Sequence, residues 1–164
     1  MAQSPEQAVA LYAERVMRGA FDDALGVWTP STARRQQEWT DAYRQRREVV
    51  TRELSMTRPS TYRVVRIEWW RTCCEPGIAE KPEYAGLARV RVAFEMSSGP
   101  REYFFDIRKD PNCCGPGDPL GALQVRYWTL LDVYPTTKLP LQFTWVYDPT
   151  TRDSHGIGAL VPDP

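Results

Sequence analysis

The first third of the chain places its apolar residues at helical spacing. Ser4 can cap a helix, Pro5 fits the first helical position and Gln7 follows three residues after the cap, so a helix is predicted to begin at Pro5. A short second helix is predicted over residues 21–28 and a third over residues 31–54. The first helix should bury one stripe of side chains, made of Val9, Tyr12, Ala13, Val16, Met17 and Ala20.

After Arg58-Pro59 the pattern changes from helical to alternating, which is typical of β-strands. Strands are predicted near residues 65–70, 88–96, 101–109 and 122–134, and the compact turn Ser97–Pro100 predicts a hairpin between the second and third. The sequence therefore predicts an α+β fold, in which N-terminal helices pack on a strongly curved antiparallel sheet of four or five strands. Residues 4–134 would form this domain. Residues 135–164 would be a Pro-rich extension, with one edge strand at 141–147 and then a flexible tail.

Uninterrupted alternation places four apolar residues on the sheet face opposite the helices. This is more apolar surface than a solvated sheet face normally carries, so we expect it to be covered. The Pro-rich tail could cover it, and so could a second copy of the chain in a homodimer. The four residues are Trp70, Phe104, Trp128 and Leu130.

The length and charge of the chain indicate a single domain and argue against some classes of partner. A chain of 164 residues can bury one core, and equal numbers of basic and acidic residues, 21 each, argue against a nucleic-acid partner. No apolar run is long enough for a membrane span. From the polar start of the chain we expect that an N-terminal targeting segment or anchor could precede it in the natural protein. Pairs such as Glu48/Arg52 indicate that the Arg-rich third helix has a solvated, ion-paired surface.

Four cysteines occur as two adjacent pairs, Cys73-Cys74 and Cys113-Cys114. In a meander of four strands, both pairs would lie in loops at one end of the sheet. Two disulfides between the pairs would indicate an oxidising, extracytoplasmic compartment. Zinc binding is the second interpretation, although adjacent cysteines chelate one ion poorly, and free or vicinal reactive thiols are the third.

Few residues in this sequence are candidates for catalysis. The one histidine, His155, lies in the predicted tail, and glycine-rich phosphate loops are absent, so no metal or cofactor is predicted. Asp106, Asp132, Tyr103 and Tyr127 are weak candidates for an acid/base site in a cavity between helices and sheet. The alternative is structural, because alternation places both aspartates opposite the apolar face, where they would pair with arginines.

The order of elements resembles that of the nuclear transport factor two-like superfamily. The resemblance covers roughly residues 4–134 and includes the short Phe21-Asp22-Asp23-Ala24-Leu25 helix, which leads to Trp28, and the closing strand at residues 125–133. It implies a cone-shaped α+β fold with an internal pocket and, in many members, a dimer through the outer sheet face. The catalytic residues of its isomerases and dehydratases have no match here. The residues expected to line the pocket are Tyr12, Trp28, Trp39, Tyr43, Phe94 and Tyr103.

These observations lead to three functional hypotheses. The first is a non-catalytic domain of an extracytoplasmic bacterial protein, which binds a small apolar molecule or another protein. The second is a small acid/base enzyme, similar to an isomerase, cyclase or dehydratase, that acts on an apolar ring-containing substrate. The third is a thiol-based redox sensor that uses the paired cysteines.

Overall fold

The structure is a computed structural model, and it describes residues 2–28, 40–71, 77–82, 85–110, 127–138, 146–148 and 153–155. It is an α+β fold, as predicted, in which three helices come before the strands. The helices are α1 (Pro5–Met17), α2 (Phe21–Leu25) and α3 (Thr40–Thr57). The strands are β1 (Thr61–Arg71), β2 (Gly77–Ile78), β3 (Leu87–Met96), β4 (Gly99–Asp110), β5 (Tyr127–Pro135), β6 (Val146–Asp148) and β7 (Asp153–His155).

Helix α1 begins where the capping pattern predicts. Ser4 has an extended backbone, and its side chain accepts a hydrogen bond from the Gln7 backbone N–H at 3.1 Å. The Gln7 side chain accepts in turn from the backbone N–H of Gln3 at 2.7 Å, one residue before the cap. The buried side of the helix is the predicted apolar stripe, which includes Val9, Tyr12, Ala13 and Val16.

The main sheet is antiparallel and open, with strand order β2-β1-β3-β4-β5. Its four long strands are those predicted, and the two-residue β2 pairs only with the end of β1. The hairpin between β3 and β4 turns at residues 97–98, where Gly99 has a φ of 117° that other residues rarely adopt. Among the described strands the sheet is not closed, and its strong curvature and cone shape stay predictions.

The predicted C-terminal edge strand lies mostly outside the described residues. Its last two residues, Val146 and Tyr147, belong to β6, which pairs antiparallel with β7 in a separate two-stranded sheet. Residues 141–145 are not among those the structure describes. Of the helices within the described ranges, none is long and apolar enough to cross a membrane.

One face of the sheet forms the core together with the helices. Tyr12 of α1 packs edge-on against Phe105 of β4, with ring centroids 5.5 Å apart, and donates or accepts a 2.9 Å hydrogen bond with Thr51 of α3. Burial of each large apolar side chain contributes on the order of 1.5–3 kcal/mol to stability. The fully buried strand residues on this face include Val90, Val92, Phe94, Tyr103, Phe105, Ile107, Leu130 and Val133.

A β-bulge in β5 corrects the predicted outer face. Asp106 pairs with Asp132 while the next residue, Ile107, pairs with Leu130, so Leu131 is an extra residue in β5. Paired residues share a face, and the bulge therefore turns Leu130 and Trp128 towards the helices. Both belong to the core.

Trp128 packs on the core side, where its ring centroid lies 6.1 Å from that of Trp69. The other two residues of the predicted outer face, Phe104 and Trp70, are only partly buried. Phe104 is half-buried on the outer face, and half-buried Trp70 packs against the edge of the core. The predicted cover for this face therefore has a smaller apolar surface to protect than uninterrupted alternation indicates.

Candidate functional site

Two of the predicted acid/base residues, Asp106 and Asp132, lie directly opposite each other on β4 and β5. Arg89, their neighbour on β3, donates from Nε and Nη2 to the two carboxylate oxygens of Asp106 at 2.8 and 3.2 Å. Such a two-point pairing fixes both partners. Asp106 therefore pairs with an arginine on the neighbouring strand, which is the structural role predicted from the sequence as the alternative to catalysis.

Burial gives Asp106 an unusual titration. Only 5% of the residue is exposed, and this burial raises the pKa of its carboxyl above the ordinary range, although hydrogen bonds from Arg89 and Tyr134 act in the opposite direction. The Asp106 charge also strengthens proton binding by Arg89, whose pKa burial alone would lower. Asp106 thus combines a raised pKa with oxygens already occupied by a guanidinium.

Asp132 is held from the helical layer. Its fully buried side chain forms an ion pair with Arg46 of α3, with 3.6 Å between Nη1 and Oδ1. The same guanidinium lies 5.8 Å from the ring centroid of Tyr134. Burial raises the pKa of Tyr134 strongly, and the neighbouring Asp106 charge adds to this effect. This arrangement ties β5 to α3.

The tyrosine candidates do not join the two aspartates. Tyr103 alternates with Phe104 on β4 and lies on the opposite face, in the core. Its hydroxyl is 3.4 Å from Nη1 of Arg101, and burial raises its pKa. The side chain of Tyr127 lies outside the described residues. Among the described candidates, the predicted four-residue acid/base set does not come together.

Four of the six residues predicted to line a pocket are buried members of the core. Tyr12 lies 6.3 Å from Trp28, and Phe94 lies 5.6 Å from Tyr103, each measured between ring centroids in an edge-to-face arrangement. All four are at most 2% exposed. Burial raises the pKa of Tyr12 strongly, so it stays a neutral hydrogen-bonding group. Trp39 and the side chain of Tyr43 lie outside the described residues.

The four cysteines lie outside the described residues, but the strands that lead to them are described. Trp70 of β1 pairs with Leu87 of β3, which pairs with Arg108 of β4. Strands β1 and β4 therefore end at the same end of the sheet, with β3 between them, at a spacing of roughly 10 Å. The cysteine pairs follow these two strand ends in the sequence.

A cavity of about 440 Å³ lies where the α1–α2 turn meets the C-terminal end of α3. We call it the helix-end cavity. Its volume is within the range of small-molecule sites in proteins, roughly 300–1,000 Å³. Its lining combines basic, apolar and hydroxyl groups without a carboxylate. The lining residues are Gly19, Phe21, Arg52, Ser55, Met56 and Arg58.

The two arginines of the helix-end cavity are positioned by their neighbours. The Arg52 guanidinium lies over the Phe21 ring, 4.7 Å from its centroid, which is a cation–π arrangement. Arg58 follows the end of α3 with a left-handed φ of 46°. Its guanidinium lies against Gly19, where an added Cβ would be 2.5 Å from Nη2. Gly19 itself has a φ of 71°, so only a glycine fits this turn without strain.

Several polar groups of the helix-end cavity lack partners among the described residues. Within the described part of the chain, neither Arg52 nor Arg58 forms an ion pair with a carboxylate. Ser55 is only 6% exposed, and its buried Oγ has no hydrogen-bond partner there. Met56 is 77% exposed at the rim. The cavity therefore presents two exposed guanidinium groups without carboxylate partners beside apolar surface.

Sequence reasoning did not find this cavity. The i, i+4 spacing predicted that Arg52 pairs with Glu48, but its described contact is with Phe21 of another helix. Gly19 and Arg58-Pro59 were visible only as helix-ending signals. The available signal was two basic residues near the end of α3 and a glycine after α1, yet the sequence does not show that these ends meet.

Comparisons with protein-family models, with curated proteins and with solved structures give no match. In the described residues, no group of three or more His, Cys, Asp or Glu side chains is arranged to hold a metal ion. The site must therefore be interpreted from its own geometry.

Proposed function

We propose that this protein is a non-catalytic binding domain that takes a small molecule in the helix-end cavity. The observation that carries the proposal is the lining of this cavity, where two arginines without carboxylate partners lie beside Phe21, Met56 and a buried, unbonded serine hydroxyl. Buried polar groups such as the Ser55 hydroxyl are usually satisfied, and a ligand in the cavity would supply a partner for it and for the two exposed guanidinium groups.

The enzyme hypothesis has weaker support. Burial raises the pKa of Asp106, which is the direction that favours proton transfer at neutral pH, but both of its oxygens are bonded to Arg89. It also lies on the outer sheet face and does not line the helix-end cavity. A general base needs a free oxygen within reach of the substrate, and the Asp106–Arg89 pair would have to open to provide one.

Chemical-shift mapping of the full chain against a fragment mixture of small carboxylates, alcohols and amines tests the proposal. Binding should perturb the resonances of Phe21 and Met56 first. Met56→Trp should weaken binding by filling the open side of the cavity. Val49→Trp is the matched control, since Val49 is 57% exposed on the same helix and does not line the cavity. Equal loss in both variants, or no shift at Phe21 and Met56, would refute the proposal.

We further propose an extracytoplasmic, bacterial setting and membership of the nuclear transport factor two-like superfamily. The observed order of three helices followed by an antiparallel meander supports the second part, and the common end of β1 and β4 supports disulfides between the two cysteine pairs. Thiol titration of the denatured, unreduced protein should detect no free thiols. Four reactive thiols would contradict the disulfides and favour the redox-sensor hypothesis.

One observation supports a homodimer through the outer sheet face. Phe104 is half-buried there, with the guanidinium carbons of Arg89 and Arg91 each 5.9 Å from its ring centroid. Because Trp128 and Leu130 lie in the core, the apolar part of this surface is small. Light scattering of wild type and Phe104→Ser would test the dimer, which requires a dimeric mass for wild type and a lower mass for the variant.

A further inference from the structure

We infer that the ligand of the helix-end cavity is a small amphipathic anion, a carboxylate that carries a short apolar chain. This inference rests on the proposed function and names its ligand class. The cavity brings two guanidinium groups, from Arg52 and Arg58, next to the apolar side chains of Phe21 and Met56. No acidic residue belongs to the lining, so a cationic ligand would meet only repulsion.

The charge of the cavity differs from that of the rest of the protein. The chain has equal numbers of acidic and basic residues, and several described arginines elsewhere form ion pairs, as in Arg89–Asp106, Arg91–Glu102 and Arg101–Glu53, whereas Arg52 and Arg58 do not. Arginine binds carboxylates through two parallel hydrogen bonds, which makes an oxyanion the natural partner of an unpaired guanidinium. Arg52 and Arg58 are therefore available for a bound anion.

The two exposed guanidinium groups differ in how they are supported. Phe21 supports the Arg52 guanidinium through its ring face, and Gly19 leaves room for the Arg58 guanidinium because it lacks a Cβ. Side chains that are ordered before binding lose less conformational entropy when the ligand arrives. The contact with Phe21 thus positions Arg52 in part before an anion binds.

The backbone at Arg58 supports a role for its side chain. The first residue after a helix often adopts the left-handed conformation, and glycine is favoured there because a Cβ makes it unfavourable. The chain has an arginine at this position, with a φ of 46°. Strain of this kind is found at binding sites, where a side chain is held for contact with a ligand.

Ser55 and Met56 define the remaining chemistry. The Ser55 hydroxyl is a buried donor without a partner, and rotation about its χ1 could present it to a carboxylate oxygen. Met56, at 77% exposure, offers a flexible apolar surface at the rim. A carboxylate head would lie between the guanidinium groups, and a short alkyl chain would cover Phe21 and Met56.

The test titrates the full chain with hexanoate, hexan-1-ol and hexylammonium, followed by chemical shifts of Phe21 and Met56. Hexanoate should bind at least about tenfold more tightly than hexan-1-ol, which corresponds to about 1.4 kcal/mol. Hexylammonium should not bind. Arg52→Gln should weaken hexanoate binding about tenfold, and Arg52→Lys should restore part of it. Arg44→Gln removes the same charge from an exposed position of α3 outside the cavity and should leave the affinity unchanged.

Arg58→Gly separates binding from folding. It removes the guanidinium and places glycine at a left-handed position, so the variant should fold at least as well as wild type while binding hexanoate about tenfold more weakly. Unchanged affinity in both Arg52→Gln and Arg58→Gly would overturn the anion inference. If hexan-1-ol then bound as well as hexanoate, the proposed function would stand without its anionic ligand. If no probe shifted Phe21 or Met56, both would fail.

Discussion

Replacement of Asp106 by alanine should destabilise the fold far more than the same change at Glu102 on the same strand. The carboxylate of Asp106 is 7% exposed and accepts two hydrogen bonds from Arg89, whose side chain is 18% exposed. Its removal leaves a largely buried guanidinium without these acceptors. Breaking a buried ion pair from one side costs about 3–5 kcal/mol. The partial exposure of Arg89 allows some hydration, so we expect a loss of about 3 kcal/mol.

Glu102→Ala is the matched control for Asp106→Ala. Glu102 pairs with Arg91 across the same two strands, but the two side chains are 31% and 42% exposed. Water can replace the lost partner there, and exposed ion pairs contribute only about 0–1 kcal/mol. The two variants thus remove the same kind of contact from the same pair of strands and differ mainly in burial.

Urea unfolding followed by circular dichroism measures both free energies, provided that the dependence on urea concentration stays constant among variants. Raising the salt concentration should reduce the small effect of Glu102→Ala and hardly change that of Asp106→Ala. Replacing both partners, as in Asp106→Leu with Arg89→Met, should cost less than Asp106→Ala alone, because no charge is left unpaired. Equal losses of unfolding free energy in Asp106→Ala and Glu102→Ala would refute the argument that burial makes the Asp106–Arg89 pair more important for stability.

Three further predictions concern single groups of the fold. Because burial raises the pKa of Asp106, the folded chain binds this proton more readily than the unfolded chain, so the stability of wild type relative to Asp106→Asn should increase as pH is lowered from about neutral to about pH 4 in urea unfolding. Tyr12→Phe should lose about 1–3 kcal/mol because it leaves buried Thr51 without its 2.9 Å partner, and in a double-mutant cycle Thr51→Val should remove most of that loss. Gly19→Ala and Gly99→Ala should each lose at least about 1 kcal/mol from strain at positive φ, with hexanoate binding reduced only in Gly19→Ala, as titration of both variants would show.

The fold class could be predicted because local pattern and tertiary packing agree over most of the chain. The stripe that includes Val9, Tyr12 and Val16 repeats at helical spacing and is buried as expected. The alternation of Tyr103, Phe105 and Ile107 likewise predicts one buried face of β4. In both elements the side chains that bury apolar area are those whose period matches the backbone geometry.

The outer face could not be predicted as well, because one residue interrupts the alternation. Leu131 is apolar like its neighbours Leu130 and Val133, so nothing in the local pattern marks it as the extra residue of a bulge. The bulge reverses the facing of every residue before it in β5. The contacts that the bulge allows depend on tertiary structure. Leu130 forms a β-bridge with Trp28, and Trp128 packs against Trp69 in the core.

The two candidate sites differ for a related physical reason. Alternation alone places Asp106 on the outer face within reach of an arginine, because cross-strand neighbours follow from the hairpin register. The helix-end cavity depends instead on how the ends of α1 and α3 meet. Arg52 contacts Phe21, and Arg58 contacts Gly19, across separations that no helical or strand period describes. Local spacing assigns Arg52 to a solvated helix surface, and its position beside a cavity follows only from the way in which the helices pack.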